Sequence, residues 1–165
     1  MRIDHLLIIR FSTLADVAKA VPVVRALARQ YPQLRITMLS QPEARPLFEQ
    51  IAPNVGFMAA DLKGEYHSWK RANALYRRLV AKNFTAVADF HNVLRSNYLR
   101  LRFNLGRFRV EHLDRHRHLF RRAKKGAPVA IYDLTADYLS VLRRLGYPVS
   151  EDLLKAASGT AEPIC

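Results

Sequence analysis

The run Leu6-Leu7-Ile8-Ile9-Arg10-Phe11, followed by Ser12-Thr13-Leu14-Ala15-Asp16-Val17, constrains this chain most, because a continuous apolar stretch breaks into a short polar turn. A strand buried on both faces produces such a run, and the turn after it delivers Ser12, Thr13 and Asp16 to a helix start. In an open parallel sheet, ligands lie beyond the carboxyl ends of the strands, so these three side chains are expected to face a crevice. The same residues also suit a local role, with Ser12 or Thr13 capping the helix and Asp16 complementing its dipole.

The alternation continues along the chain. Leu6–Phe11 reads as the first strand and Asp16–Gln30 as an amphipathic helix with Val17, Ala20, Val21, Val24, Leu27 and Ala28 on its apolar side. Pro22 is expected to kink that helix or begin a fresh turn. Arg35–Ser40 and Val55–Ala59 read as further strands, with a short helix over Glu43–Ile51 between them. Ser68–Lys82 has a capping serine and places Trp69, Ala72, Leu75, Tyr76, Leu79 and Val80 at helical spacing. A strand at Ala86–Phe90, a basic helix near Val93–Leu105 and a charged strand at Arg109–Leu113 follow. The helix Thr135–Leu145 is stopped by Gly146 and Pro148. Strands separated by helices imply an α/β fold, a Rossmann-like parallel sheet flanked by helices and joined by right-handed crossovers. Residues 1–148 form the expected domain, and 149–165 read as a linker or tail.

Composition narrows the classes. With 165 residues, half of them apolar, the chain can bury one core. No apolar run approaches the roughly 20 residues of a membrane span, and the first residues do not make a secretory signal, so a cytoplasmic location is expected. Cys165 is the only cysteine, which excludes an intrachain disulfide or a cysteine metal cluster. The net charge of +13 is concentrated, with eleven basic side chains against Glu111 and Asp114 between Arg95 and Lys125. Such a field attracts polyanions: nucleic acid, anionic headgroups or phosphorylated sugars. His116 and His118, set among Arg115, Arg117, Arg121 and Arg122, lack carboxylate or thiolate partners, and no metal site is expected. No Gly-rich nucleotide loop is present.

Two separated motifs point further. Arg10 to Val17 with Val21-Pro22-Val23-Val24-Arg25-Ala26-Leu27, and then Ala88-Asp89-Phe90-His91-Asn92-Val93-Leu94-Arg95-Ser96, resemble the heptosyltransferase family of lipopolysaccharide synthesis (glycosyltransferase family 9). The likeness runs from about Arg2 to Pro148. It implies the N-terminal, acceptor-side half of a GT-B glycosyltransferase, with the nucleotide-sugar half absent and this part inactive alone. It also implies that Asp16 is the catalytic base and that a nucleotide-sugar donor of the ADP-heptose type serves the complete enzyme, with no other cofactor. The acceptor would be an anionic lipid-linked inner-core oligosaccharide at the cytoplasmic face of the membrane, which the protein would meet peripherally. The family usually has Gly where this chain has Ala15, and Ala resists a left-handed backbone there.

Among the residues themselves, Ser12 and Thr13 could orient an acceptor or the turn, and His91, Asn92, Arg95 and Ser96 could reach a sugar or its carboxylate. Arg95 is the strongest of these, because a guanidinium matches carboxylate and phosphate oxygens through paired donors. Asp89 suits satisfaction of loop amides at a strand end. The alternative class is a noncatalytic basic α/β module that binds nucleic acid or another polyanion, supported by charge alone, since no helix-turn-helix, RRM or KH signature is present.

Overall fold

The computed structural model describes residues 4–61, 64–65, 68–91, 99–103, 108–113, 126 and 134–159. Its first strand, β1 (His5–Ile9), is buried at every position, as an apolar run without alternation requires. It is the centre of a five-stranded sheet of order β3-β2-β1-β4-β5, with β2 Arg35–Ser40, β3 Val55–Ala59, β4 Ala86–Asp89 and β5 Arg109–His112. Every neighbouring pair is parallel. The α/β Rossmann-like expectation therefore holds, with a crossover on each side of β1.

Alternation along the strands sends side chains to two cores. Leu6, Ile8, Ile36, Met38, Ala86 and Ala88 pack on the face covered by α1 (Leu14–Ala18), α2 (Ala20–Gln30) and α5 (Leu134–Arg144). Leu7, Ile9, Leu39 and Val87 pack on the other face, against Leu75 and Leu79 of α4 (Trp69–Val80) and Leu99 and Phe103 of the helical residues 99–103. Of the basic helix expected near Val93–Leu105, the described residues include 99–103 only.

Four local expectations change. The helix expected over Asp16–Gln30 is interrupted at Lys19, giving α1 and α2. Pro22 has no N–H for the carbonyl four residues earlier, and its ring crowds that carbonyl, which belongs to Ala18. The helix expected over Glu43–Ile51 shrinks to a 3-10 turn, Pro42–Ala44, and a single helical turn, α3 (Arg45–Phe48). There Pro46 removes a donor, Glu49 is extended and Gln50 enters the left-handed region at φ 63°. Trp69, expected on the apolar side of α4, is 56% exposed, because it stands at the first helical position, ahead of the face that Ala72, Leu75 and Leu79 turn inward.

The fourth change concerns the segment after Pro148. Instead of linker, residues Glu151–Gly159 form a helix, α6, that packs on α2. Ser150 Oγ accepts from the Leu153 amide at 3.2 Å, and Glu151 and Asp152 complement the first turn. Arg25 donates to the Ala157 carbonyl, while Gln30 and Tyr31 donate to the Pro148 carbonyl. Ahead of it, α5 ends as expected at Gly146, whose φ of +93° and amide bond to the Arg143 carbonyl accompany a Tyr147 amide bond to Leu142. That 6→1 and 5→2 pair is a Schellman close, which glycine accepts without strain. Residues 160–165 lie outside the described residues.

Candidate functional site

At the carboxyl edge, β1 leads directly into the turn Ser12-Thr13 and α1. Thr13 is the N-cap, its hydroxyl accepting from the Asp16 amide at 3.3 Å. Ser12 does something else: its hydroxyl donates to Asp16 Oδ2 at 3.0 Å. The same oxygen lies 3.6 Å from Arg10 Nη2, and Asp16 Oδ1 lies 3.7 Å from Lys19 Nζ. The Asp16 side chain keeps 35% of its surface open to solvent, so a ligand can reach it. Burial alone would raise its pKa, but the hydrogen bonds from Ser12 and Thr13 and the Arg10 and Lys19 charges outweigh burial and hold the carboxyl below its ordinary value. Asp16 is therefore an ionised acceptor at neutral pH.

Ala15 sits inside α1 and is absent from the residues with positive φ. The turn keeps a right-handed backbone at that position, so alanine is accommodated without strain.

The end of β4 stands beside this turn. Asp89 is wholly buried, with Oδ1 accepting from the His91 amide at 3.0 Å and Oδ2 lying 3.7 Å from Arg100 Nη1. This is the loop-amide role expected of a strand-end aspartate. The His91 ring meets Phe11 edge-on, centroids 6.2 Å apart, and so shares the carboxyl edge with Ser12 and Asp16. The structure thus brings together Ser12, Thr13 and Asp16 and sets His91 nearby. Asn92, Arg95 and Ser96, with His116 and His118, lie outside the described residues. Among the described residues, no group of three or more His, Cys, Asp or Glu is placed to hold a metal.

Three contributors were not singled out from sequence. Arg10 is 8% exposed and donates from Nη1 to the Phe90 carbonyl at 2.8 Å. Gln41, just past β2, donates from Nε2 to the Ser12 carbonyl. Tyr138, fully buried on α5, donates to the Asp16 carbonyl at 3.3 Å. Only Arg10 left a signal in sequence, as a cation ending an apolar strand; Gln41 and Tyr138 are brought in by the sheet order and by a helix 122 residues away.

No protein-family model matches the sequence, and neither does any curated protein. Solved structures do match. The crystal structure of the glycosyl transferase family 9 protein from Veillonella parvula DSM 2008 is 22% identical, with a TM-score of 0.65 over 89% of this chain and 43% of that one. The E. coli heptosyltransferase WaaC with ADP-2-deoxy-2-fluoro heptose is 15% identical, with a TM-score of 0.64 over 97% of this chain and 55% of that one. The same enzyme with ADP gives 15% identity and a TM-score of 0.63, covering 97% and 54%. This chain spans about half the length of those structures. The fold expected from the two sequence motifs is borne out: the chain has the Rossmann-like parallel α/β sheet that these glycosyltransferase structures share with it.

Proposed function

We propose that the chain is the acceptor-side part of a glycosyltransferase of the heptosyltransferase type, moving a heptose or related sugar from a nucleotide-sugar donor to an anionic inner-core lipopolysaccharide acceptor. The observation that carries this is Asp16, a solvent-reachable carboxylate at the end of the central strand, gripped by Ser12, Arg10 and Lys19. In such a transfer the acceptor hydroxyl oxygen bonds to the anomeric carbon as the bond from that carbon to the nucleotide diphosphate breaks. Asp16 takes the hydroxyl proton. Its lowered pKa makes it a weak base for an alcohol, so the proton moves late, when bond making has acidified the hydroxyl. Ser12 keeps the carboxylate aimed, and His91 and Arg95 are assigned to the acceptor. The donor belongs to a second half, and this part alone is expected not to turn over.

The net charge of +13 supports steering toward an anionic leaflet and acceptor. Each basic contact near such a surface contributes about 1 kcal/mol and weakens with salt. Among the described residues no helix is long and apolar enough to cross a membrane, and the proposed association is peripheral.

The test is titration with an anionic inner-core lipid A acceptor at low and moderate salt, beside double-stranded DNA of matched charge. Saturable acceptor binding that outlasts DNA binding as salt rises, and falls in Arg95→Ala, is the expected result. Equal loss of both ligands would leave only a nonspecific basic surface and overturn the acceptor assignment. In a fusion carrying a nucleotide-sugar-binding half, Asp16→Asn should abolish transfer while the fold persists; near wild-type transfer would remove Asp16 as the base.

A further inference from the structure

Arg10 is an anomaly in its strand. It follows five buried residues of β1, stays 8% exposed, and its Nε has no hydrogen-bond partner among the described residues. Burying a cation with an unsatisfied donor costs stability that an apolar side chain of similar length would not. Such a cost persists where the group does something. Its two ends show what that is. Nη1 is fixed on the Phe90 carbonyl at the end of β4, and Nη2 faces Asp16 Oδ2. Asp16 is the one acid within 4 Å of this guanidinium among the described residues.

The other end of Asp16 is also held. Tyr138, from α5, donates to its backbone carbonyl. The Tyr138 ring stacks on Phe90 with centroids 4.3 Å apart and 14° between planes, and the Arg10 guanidinium lies 5.9 Å from its centroid. Phe90, Tyr138 and Arg10 therefore form one buried cluster touching β1, β4, α1 and α5. α1 is only five residues long and is marginal as an isolated helix, so its placement depends on such contacts.

We propose that Arg10 and Tyr138 are positioning residues for Asp16, holding its carboxylate and its backbone carbonyl from a common buried cluster that spans both motifs. Their service to catalysis rests on the glycosyltransferase reading above. Their grip on Asp16 does not, and is measured on this chain without donor or acceptor.

The charged groups on the elements around this end of α1 are Arg10, Lys19, Glu43 on the 3-10 turn and Asp137 on α5. Of these, Arg10 and Lys19 are within 4 Å of the carboxylate. They differ in burial, 9% against 57% side-chain exposure, which separates them experimentally. The experiment follows the Asp16 side-chain carboxyl by carbon NMR through a pH titration of the whole chain. In Arg10→Met its midpoint should rise, and Arg10→Lys should restore most of that shift. In the unaltered chain, 0.5 M salt should leave most of the depression in place, because the Ser12 and Thr13 hydrogen bonds and a buried cation are poorly screened, whereas an exposed lysine is well screened. Tyr138→Phe should speed amide exchange across α1 about fivefold, from loss of one hydrogen bond with little change in volume.

An Asp16 midpoint unchanged in folded Arg10→Met overturns the role of Arg10. So does a salt series that returns the unaltered chain to the ordinary carboxylate value, which needs no variant to fold. Unchanged exchange in Tyr138→Phe overturns the role of Tyr138. If the shifts occur while Asp16→Asn retains transfer in the fusion, the positioning stands and the glycosyltransferase assignment of Asp16 falls.

Discussion

Removing the Asp89 carboxylate should unfold the protein more readily than any change to the Asp16 carboxylate, although the two acids stand at neighbouring strand ends. Asp89 is 0% exposed and its partners include the His91 amide at 3.0 Å and Arg100 at 3.7 Å. In Asp89→Ala, that amide loses this acceptor and a mostly buried guanidinium loses a carboxylate neighbour. Breaking a buried pair by removing one partner costs about 3–5 kcal/mol. The Arg100 side chain keeps 21% exposure and the ion pair is longer than a tight hydrogen bond, so the lower part of that range applies, about 3–4 kcal/mol. Asp89→Asn keeps the volume and an acceptor for the amide but not the charge, and should cost about half as much. The assay is urea unfolding followed by far-ultraviolet circular dichroism; the single tryptophan, Trp69, is already 56% exposed and reports the core poorly. The urea slope should not change, since the surface exposed on unfolding is the same. A loss below about 0.5 kcal/mol in Asp89→Ala would show that Asp89 does not anchor this loop.

His5 makes stability depend on pH. Its Nδ1 lies 3.2 Å from the Lys82 carbonyl and must donate there, and in the neutral ring that burial and Arg35 favour, Nε2 accepts from the Thr37 hydroxyl at 2.8 Å. Burial, then the Arg35 charge, lower its pKa from 6.5. The unfolded chain therefore binds the proton first, and the contribution of His5 is full above about 6.5 and lost as pH falls toward the lowered folded value. Urea midpoints should drop between pH 7.5 and 5.5 and drop less in His5→Asn; equal slopes in the two proteins would remove His5 as the cause. Leu27→Ala, at a site of 0% exposure on α2, should lower stability by about 2–5 kcal/mol in thermal melts, and a shift below about 1 kcal/mol would mean that the core around it collapses to fill the space.

The sheet was legible because strand burial is a local pattern. An unbroken apolar run at Leu6–Ile9 can be satisfied only between two covered faces, and alternation with helical spacing leaves few parallel topologies. The Ser12-Thr13-Asp16 turn was legible for the same reason, since capping and the Ser12 to Asp16 contact span four residues. The α6 helix was not, although Ser150, Glu151 and Asp152 form a helix start. Nine residues with few apolar positions make a marginal helix alone, and docking on α2 through Arg25, Gln30 and Tyr31 stabilises it.

Sequence by itself thus determined the class of fold, the place of the turn and the presence of a carboxylate at its helix start. Tertiary structure decided what holds that carboxylate and its neighbours in place. Arg10 reads in sequence as a stray cation on a strand, Tyr138 as a core aromatic and Gln41 as loop, and they meet the turn only because β2 and β4 flank β1 and α5 returns across its face. The lowered pKa of Asp16 comes from its chain neighbours Ser12, Thr13, Arg10 and Lys19, whereas the placement of Arg10 and of the α1 backbone depends on β4, β2 and α5, which no local periodicity encodes.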